Sequence, residues 1–179
     1  KYGIPDFRLP NEVIDAEIDK LRKLGIKFVE GGATTSLKRE HEWREARWNF
    51  LRSVSARFGG PVATAHTLDD QVETVFMRIL RDAGPRGLAG LYAESEVVRP
   101  FLNLRRSELA SYALKHKVAY VDDPSNESRA HLRNRVRHEL LPAISRVRPG
   151  FAADLLSLAQ ASAGWRTAIA TAVESIGTP

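Results

Sequence analysis

Apolar residues recur at helical spacing along most of the chain, and short apolar runs separate the helical stretches. The clearest helix is predicted over residues 67–80, where Val72, Val75, Phe76 and Ile79 form one stripe. Other helices are predicted over 11–24, 40–58, 105–116, 132–147 and 151–174, and the glycine pair at 59–60 is expected to end the second of these five. Strands are predicted over 26–29, 61–65 and 97–98, and loops over 82–90 and 122–128. This alternation predicts an α/β fold with a parallel sheet and a mostly helical second half.

A polar cluster lies where the strand at 61–65 runs into the central helix. If the helix begins at Thr67, the side chains of His66, Asp69, Asp70 and Glu73 share one face of its first two turns. Open α/β sheets bind ligands beside the carboxyl ends of their strands, which is where this cluster lies. A simpler alternative is that Thr67 and Asp70 cap the helix and that acids there oppose its dipole. That alternative explains one or two of the acids.

Three kinds of chemistry fit the polar cluster. The acids suit Mg²⁺ carried by a nucleotide, because hard cations prefer carboxylate oxygens. One acid suits a general base or the binding site of a cationic amine. A histidine with carboxylates also suits a transition metal. The pattern alone does not choose between them.

The composition excludes only a few classes of protein. The chain has 179 residues, of which 43% are hydrophobic and 27% charged, as in ordinary globular proteins. Cysteine is absent, which excludes disulfides, thiolate catalysis and Cys-ligated zinc and fits a cytoplasmic protein. The net charge of +5 favours polyanionic partners such as nucleic acid or nucleotide phosphate. No apolar run approaches membrane-spanning length, and because the chain begins at Lys1 we expect a fragment of a longer protein.

Four ordered motifs resemble tRNA(Ile)-lysidine synthase, a member of the N-type ATP-pyrophosphatase group. They are AHTLDDQVETVFMRILRDAGPRGLAGL at 65–91, REARWNFL at 44–51, RPFLNLRRSEL at 99–109 and DDPSNESRAHLRNRVRHELLP at 122–142. The resemblance covers about residues 38–179. It implies a partial parallel-sheet ATP-pyrophosphatase (adenine nucleotide alpha hydrolase-like) domain over 38–148, a C-terminal helix or linker to a missing domain over 149–179, and an atypical segment over 1–37.

The resemblance implies a ligase that forms a carbon–nitrogen bond. ATP would adenylate the C2 oxygen of the wobble cytidine of tRNA(Ile) and release pyrophosphate. The amine of free L-lysine would then attack C2 and expel AMP. The implied ligands and partners are ATP with Mg²⁺, L-lysine and tRNA(Ile) with a CAU anticodon, in the cytoplasm, and a homodimer is left open.

The resemblance also implies roles for individual residues. Asp70 and Glu73 would bind the lysine ammonium group and accept its proton, and His66 and Asp69 would help to shape that pocket. Arg86 and Gly87 would contact ATP. The basic residues expected to face phosphates, the cytidine or the tRNA are Arg44, Arg47, Arg133, Arg135, Arg137 and His138. One helix does not point residues 133, 135 and 137 in the same direction, so at least one of these arginines is expected on a solvated face.

Two features of the sequence depart from that family. Its SGGxDS phosphate loop is absent, and the nearest string, EGGATTS at 30–36, is interpreted as a glycine turn. Residues 1–31 resemble a segment of the glutamate synthase small subunit. The alternatives are therefore a truncated or inactive ligase, a non-catalytic tRNA- or RNA-binding module, an oxidoreductase fragment, or another ATP-pyrophosphatase such as a tRNA thiolase. The lack of cysteine counts against persulfide-forming or cluster-bearing thiolases.

Overall fold

The computed structural model describes residues 23, 40–118, 120, 129 and 131–176, without the side chains of residues 40–44. Four predicted elements lie outside the described residues, namely the helix at 11–24 (apart from Lys23, which is helical), the strand at 26–29, the turn at 30–36 and the loop at 122–128. The chain divides into two compact units. One comprises residues 1–62 and 120–126, and the other residues 63–119 and 127–179.

The first unit contains helix α1 (Glu40–Phe58). Gly59 ends it by adopting a φ of +67°, a left-handed conformation that costs glycine little. The Gly59 N–H donates to the Ser55 carbonyl at 2.9 Å, and the Ser55 hydroxyl donates to the Gly60 carbonyl at 2.6 Å. The prediction of a helix over 40–58 that stops at a glycine pair is confirmed.

A two-stranded sheet joins one segment before the central helix to one segment after it. Strand β1 (Val62–Ala63), at the boundary between the units, pairs with β2 (Val97–Val98), and the Thr64 N–H donates to the Val98 carbonyl at 2.9 Å. The strand predicted over 61–65 is therefore shorter than expected, whereas the one at 97–98 is confirmed. Helix α2 (Leu68–Ile79) follows β1 after four residues, so its N-terminus lies close to the end of that strand.

The rest of the second unit is mainly helical. It comprises α3 (Pro85–Leu88), a 3₁₀ turn (Gly90–Tyr92), α4 (Arg106–Lys115), α5 (Leu132–Arg135), a π turn (Val136–Leu140), α6 (Leu141–Val147) and α7 (Phe151–Ile176). The loop predicted over 82–90 is wrong at α3, because Pro85 occupies the first helical turn, where its missing N–H costs nothing. The π turn lies just before Pro142, whose ring would crowd the carbonyl four residues earlier in a regular helix.

The core forms where α2 packs against the π turn and α7. Val75, Val136 and Ala159 are fully buried, and Phe76 meets Phe151 edge to face with ring centroids 5.9 Å apart. This packing buries the apolar stripe that the sequence predicts for the central helix. Within the described part of the chain, no helix is both long and apolar enough to cross a bilayer.

A buried glutamine fastens the segment after α2 to the helix itself. Gln71 is fully buried, its side-chain amide donates to the Ala89 carbonyl at 2.9 Å, and its Oε1 accepts from the Leu91 N–H at 2.6 Å. Gly90 lies between Ala89 and Leu91 and has a φ of +61°. A Cβ at this position would lie 2.5 Å from the Gln71 Oε1. Both the backbone conformation and the close approach therefore require glycine at this position.

Replacing Gly90 with alanine is expected to destabilise the protein by roughly 2 kcal/mol, through left-handed strain and displacement of the Gln71 amide. Urea unfolding measures this change. Gly164→Ala is the matched control, because a Cβ at that helical position meets nothing within 4 Å, and there alanine is expected to stabilise by about 0.5–1 kcal/mol. Equal effects of the two substitutions would contradict the packing described around Gln71.

Candidate active site

Asp70 divides its two carboxylate oxygens between helix capping and a group of arginines. Its Oδ2 accepts from the Thr67 N–H and the Thr67 hydroxyl, both at 2.8 Å, which completes a capping box at the start of α2. Its Oδ1 lies 3.3 Å from Arg106, 2.9 Å from Arg133 and 3.5 Å from Arg137. The predicted cap is confirmed, and it occupies one oxygen of this carboxylate.

Glu73, one turn along α2, is the most enclosed acid of the group. Its side chain is 2% exposed. Oε2 accepts from the Arg133 Nε at 2.8 Å and from the Arg137 Nη2 at 3.0 Å, while Oε1 accepts from the Arg137 Nε at 2.7 Å. Arg133 and Arg137 are four residues apart in the continuous helical segment, so they project from the same face and both reach this acid. Charged donors on both oxygens offset the cost of burying this carboxylate.

Asp69 connects the start of α2 with the start of α4. Its Oδ2 accepts from the backbone N–H of Arg106 at 2.6 Å, and the Leu68 N–H donates to the Leu104 carbonyl at 2.9 Å. The first N–H groups of a helix lack partners within it, so Asp69 satisfies one of those of α4. This bond fixes the backbone from which the Arg106 side chain reaches Asp70 and Glu73.

A cavity of about 290 Å³ opens beside these groups. One part of its lining is polar and comprises Asp69, Glu73, Arg105, Arg106, Arg137 and Ser145. The other part is aliphatic and comprises Leu68, Val72, Leu141, Pro142, Ala152 and Leu156. A cavity with an apolar wall and a few converging polar groups has the usual character of a small-molecule site.

Asp70 and Glu73 are both held in the ionised form. Burial raises the pKa of Asp70, but hydrogen bonds from Thr67 and the charges of Arg133 and Arg106 outweigh it, so the pKa lies below the ordinary value of 3.8. Burial likewise raises the pKa of Glu73, but hydrogen bonds from Arg137 and Arg133 bring it below the ordinary 4.5. The same contact with Glu73 raises the pKa of Arg137. At neutral pH Asp70 and Glu73 therefore carry fixed negative charges.

The stability that Glu73 contributes is expected to fall at acid pH. A carboxyl whose pKa is lower in the folded state stabilises fully above its unfolded pKa, here near 4.5, and loses this contribution as pH falls through the folded value. The difference in unfolding free energy between the parent chain and Glu73→Gln should thus be constant above about pH 6 and shrink below about pH 4.5. Urea titrations at several pH values measure it, and a difference that stays constant down to about pH 3 would contradict the assignment.

The other predicted residues of the acid cluster and the basic helix lie in different surroundings. His66 is half-buried, with its Nδ1 2.8 Å from the Thr64 hydroxyl on the strand side of the cap. Arg135 is exposed, and its Nε is 3.9 Å from Glu139. His138 is also exposed. As the helix geometry required, Arg135 points away from the face that carries Arg133 and Arg137.

The residues predicted to contact ATP lie at the short α3 helix. The Arg86 side chain is exposed, and its carbonyl accepts from Arg166 of α7 at 3.2 Å. The Gly87 carbonyl accepts from Arg78 of α2. These bonds fix α3 between the two helices. In the first unit, Arg47 is exposed on α1 and Arg44 lies in the same helix, with a side chain outside the described residues.

Two residues of this region were not predicted from the sequence. Arg106 contacts both acids from another helix, and Gln71 fastens the segment at 89–91. The motif RPFLNLRRSEL contains Arg106, but nothing in its spacing shows that the side chain turns towards residues more than thirty positions earlier. Gln71 reads as an ordinary polar helical position, and only the structure shows that it is buried.

Several known proteins are similar in sequence to most of this chain. The chain is 42% identical over 128 residues to "tRNA(Ile)-lysidine synthase" of Geobacter sulfurreducens, covering 69% of this chain and 27% of that protein. It is 39% identical over 145 residues to the protein of the same name from Thermotoga maritima, covering 80% and 33%. It is 37% identical over 116 residues to "Bifunctional protein TilS/HprT" of Listeria monocytogenes, covering 62% and 18%. The chain thus spans about a third or less of the length of these curated relatives.

These similarities support the predicted resemblance to tRNA(Ile)-lysidine synthase. They give no support to the resemblance of residues 1–31 to glutamate synthase. A profile of the family described as "PP-loop domain" matches residues 16–144, which begin inside that N-terminal segment and include the acid cluster and the arginines that surround it. The match also confirms the predicted α/β class, with a small sheet and a helical C-terminal part. The chain therefore belongs to the PP-loop domain family.

Proposed function

We propose that this chain carries the catalytic domain of a tRNA(Ile)-lysidine synthase-type ligase. The observation that carries the proposal is the 42% and 39% identity to two proteins of that name. The proposed domain boundaries are 38–148 for the ATP-pyrophosphatase-like part and 149–179 for a C-terminal helix or linker, with an atypical segment at 1–37. A cytoplasmic location and a homodimer stay predictions.

The proposed reaction has two steps. The C2 oxygen of the wobble cytidine attacks the α-phosphorus of ATP, and pyrophosphate leaves. The amine of lysine then attacks C2, and AMP departs with the former C2 oxygen, so that a carbon–nitrogen bond replaces the carbon–oxygen bond. The amine must lose its proton for this attack, and the second step therefore needs a nearby base.

Asp70 and Glu73 are the proposed acceptors of the lysine ammonium group and its proton. Both pKa values lie below the ordinary range, so both groups are ionised and attract a cation at neutral pH. Asp69 lines the cavity directly, and His66 lies on the strand side of the same helix start. The proposal gives these two residues a role in shaping the pocket.

ATP is the proposed energy source, and the PP-loop match supports its use. We assign Arg86 and Gly87 to its binding. Mg²⁺ would accompany its phosphates and neutralise their charge. Among the described residues, no three histidine or acidic side chains come together as a metal site, and the Glu73 oxygens are occupied by guanidinium groups. The described residues therefore do not suit a metal ion of their own.

The proposed tRNA contacts involve basic residues, with tRNA(Ile) bearing a CAU anticodon as the partner. Arg135 and His138 are exposed and suit contacts with the phosphate backbone, as does Arg47. Arg44 is assigned with Arg47 on the strength of the REARWNFL motif alone. Arg133 and Arg137 bond to Asp70 and Glu73, so the contacts available to RNA from these two are limited to their remaining N–H groups.

A second candidate function is a tRNA- or RNA-binding module without catalysis. The observation that favours it is the absence of an SGGxDS string from the sequence. Pyrophosphate release distinguishes the two functions. Release that requires both tRNA(Ile) and lysine supports the ligase, whereas tRNA binding that weakens steeply with salt, without pyrophosphate release, supports the module.

A further inference from the structure

Three guanidinium groups surround the carboxylates of Asp70 and Glu73. Arg133 binds with its Nε at 2.8 Å and its Nη2 at 2.9 Å, and the closest approach of Arg137 is 2.7 Å. Arg106 offers only Nη2, at 3.3 Å from Asp70 and 3.4 Å from Glu73. Arg106 is therefore the most weakly held of the three arginines.

Arg106 is also the most exposed of the three arginines. Its side chain is 43% exposed, against 39% for that of Arg133 and 21% for that of Arg137. Its backbone is fixed by the bond from its N–H to Asp69, so movement of the guanidinium group needs only side-chain rotation. Arg106 lines the cavity, and so do Asp69 and Glu73. A rotated Arg106 therefore stays within reach of a molecule bound there.

A cation that binds Asp70 and Glu73 must compete with Arg106. If all three arginines stayed in place, an added ammonium group would raise the local positive charge and repel the nearest guanidinium group. The cavity offers an aliphatic wall that suits an alkyl chain, and a mobile guanidinium group pairs well with a carboxylate. These features together fit an amino acid with an ammonium group at the acids and a carboxylate some distance away.

We infer that Arg106 is an exchangeable partner of Asp70 and Glu73, whose guanidinium group is displaced by the substrate ammonium group and then pairs with the substrate carboxylate. This inference rests on the proposed function, because it takes free lysine as the ligand. It makes Arg106 a substrate-binding and specificity-determining residue. It also gives a function to the third, weakly bound guanidinium group at the acid pair.

Titration of the full chain with lysine and with cadaverine, a diamine of the same chain length without a carboxylate, tests the inference. Chemical shifts in NMR spectra report the two dissociation constants. In Arg106→Ala and Arg106→Gln we expect the lysine constant to rise about tenfold relative to the cadaverine constant, because only lysine loses a charge-assisted contact with its carboxylate. We expect the constant for cadaverine to fall, because its competitor is gone. Arg81→Ala, at an exposed position after α2, should change neither constant.

The outcomes separate this inference from the function on which it rests. A rise of the lysine constant relative to the cadaverine constant in the folded variants supports the exchange. Equal changes for both ligands, or none, overturn it while lysine binding by the parent chain still stands. A folded parent chain that binds no lysine at millimolar concentration would overturn the inference together with the proposed function. Amide spectra of both Arg106 variants confirm that the fold is retained.

Discussion

Replacing Glu73 with glutamine is expected to lower the free energy of unfolding by about 2–4 kcal/mol at neutral pH. Breaking a buried ion pair leaves uncompensated charge, and here one carboxylate serves three guanidinium groups. The estimate is below the full cost of a deeply buried pair, because Arg106 and Arg133 are 43% and 39% exposed and water screens them in part. Urea unfolding at constant ionic strength measures the change.

The same substitution at Glu139 is the matched control. Glu139 also pairs with arginines, namely Arg129 and Arg135, but its side chain is 43% exposed. Exposed pairs contribute little, so Glu139→Gln should change the unfolding free energy by less than about 0.5 kcal/mol. If the two substitutions changed the unfolding free energy by similar amounts, burial would not strengthen the ion pairs of Glu73. That result would contradict the contribution to stability expected for Glu73.

Replacing Asp70 with asparagine is expected to lower lysidine formation by a factor of about 10²–10⁴, the usual range for loss of a general acid or base. Asparagine keeps an oxygen that accepts from the Thr67 N–H, so the cap of α2 is retained in large part. The substitution removes the negative charge that faces Arg106 and Arg133. The rate of lysine transfer to tRNA(Ile), with the melting temperature measured alongside it, checks both expectations.

Asp82→Asn is the control for that substitution. Asp82 is exposed after the end of α2 and has a φ of +54°, a conformation that asparagine tolerates. The Asp82→Asn variant should transfer lysine to tRNA(Ile) at the same rate as the parent chain. An unchanged rate in Asp70→Asn would refute the proposed role of Asp70. A large loss of melting temperature in that variant would instead assign the residue to the fold.

The sequence was most informative where interactions are local. The Thr67–Asp70 cap spans three residues, and the apolar stripe of α2 repeats at the helical period, so both followed directly from the pattern. The glycine that ends α1 is another local feature. The prediction of a loop over 82–90 failed at α3, because glycine and proline also begin short helices and Pro85 does so there.

Contacts between distant parts of the chain were not predictable in the same way. Glu73 meets Arg133 and Arg137 across 60 and 64 positions, and Asp69 meets the Arg106 N–H across 37. No periodicity encodes such pairings, since they arise only after α2, α4 and the helical segment at 132–147 pack together. The motifs indicated which residues matter, but the third guanidinium group at the Asp70–Glu73 pair became visible only in the structure.

The proposed function predicts that this chain attaches lysine to a cytidine of tRNA(Ile). Its most direct test incubates the full chain with unmodified tRNA(Ile), ATP and L-lysine, followed by mass spectrometry of the nucleosides released from the tRNA. We predict lysidine in place of the wobble cytidine, dependent on ATP and greatly reduced in Asp70→Asn. An unmodified cytidine, in a reaction where the folded chain is shown to bind the tRNA, would contradict the claim.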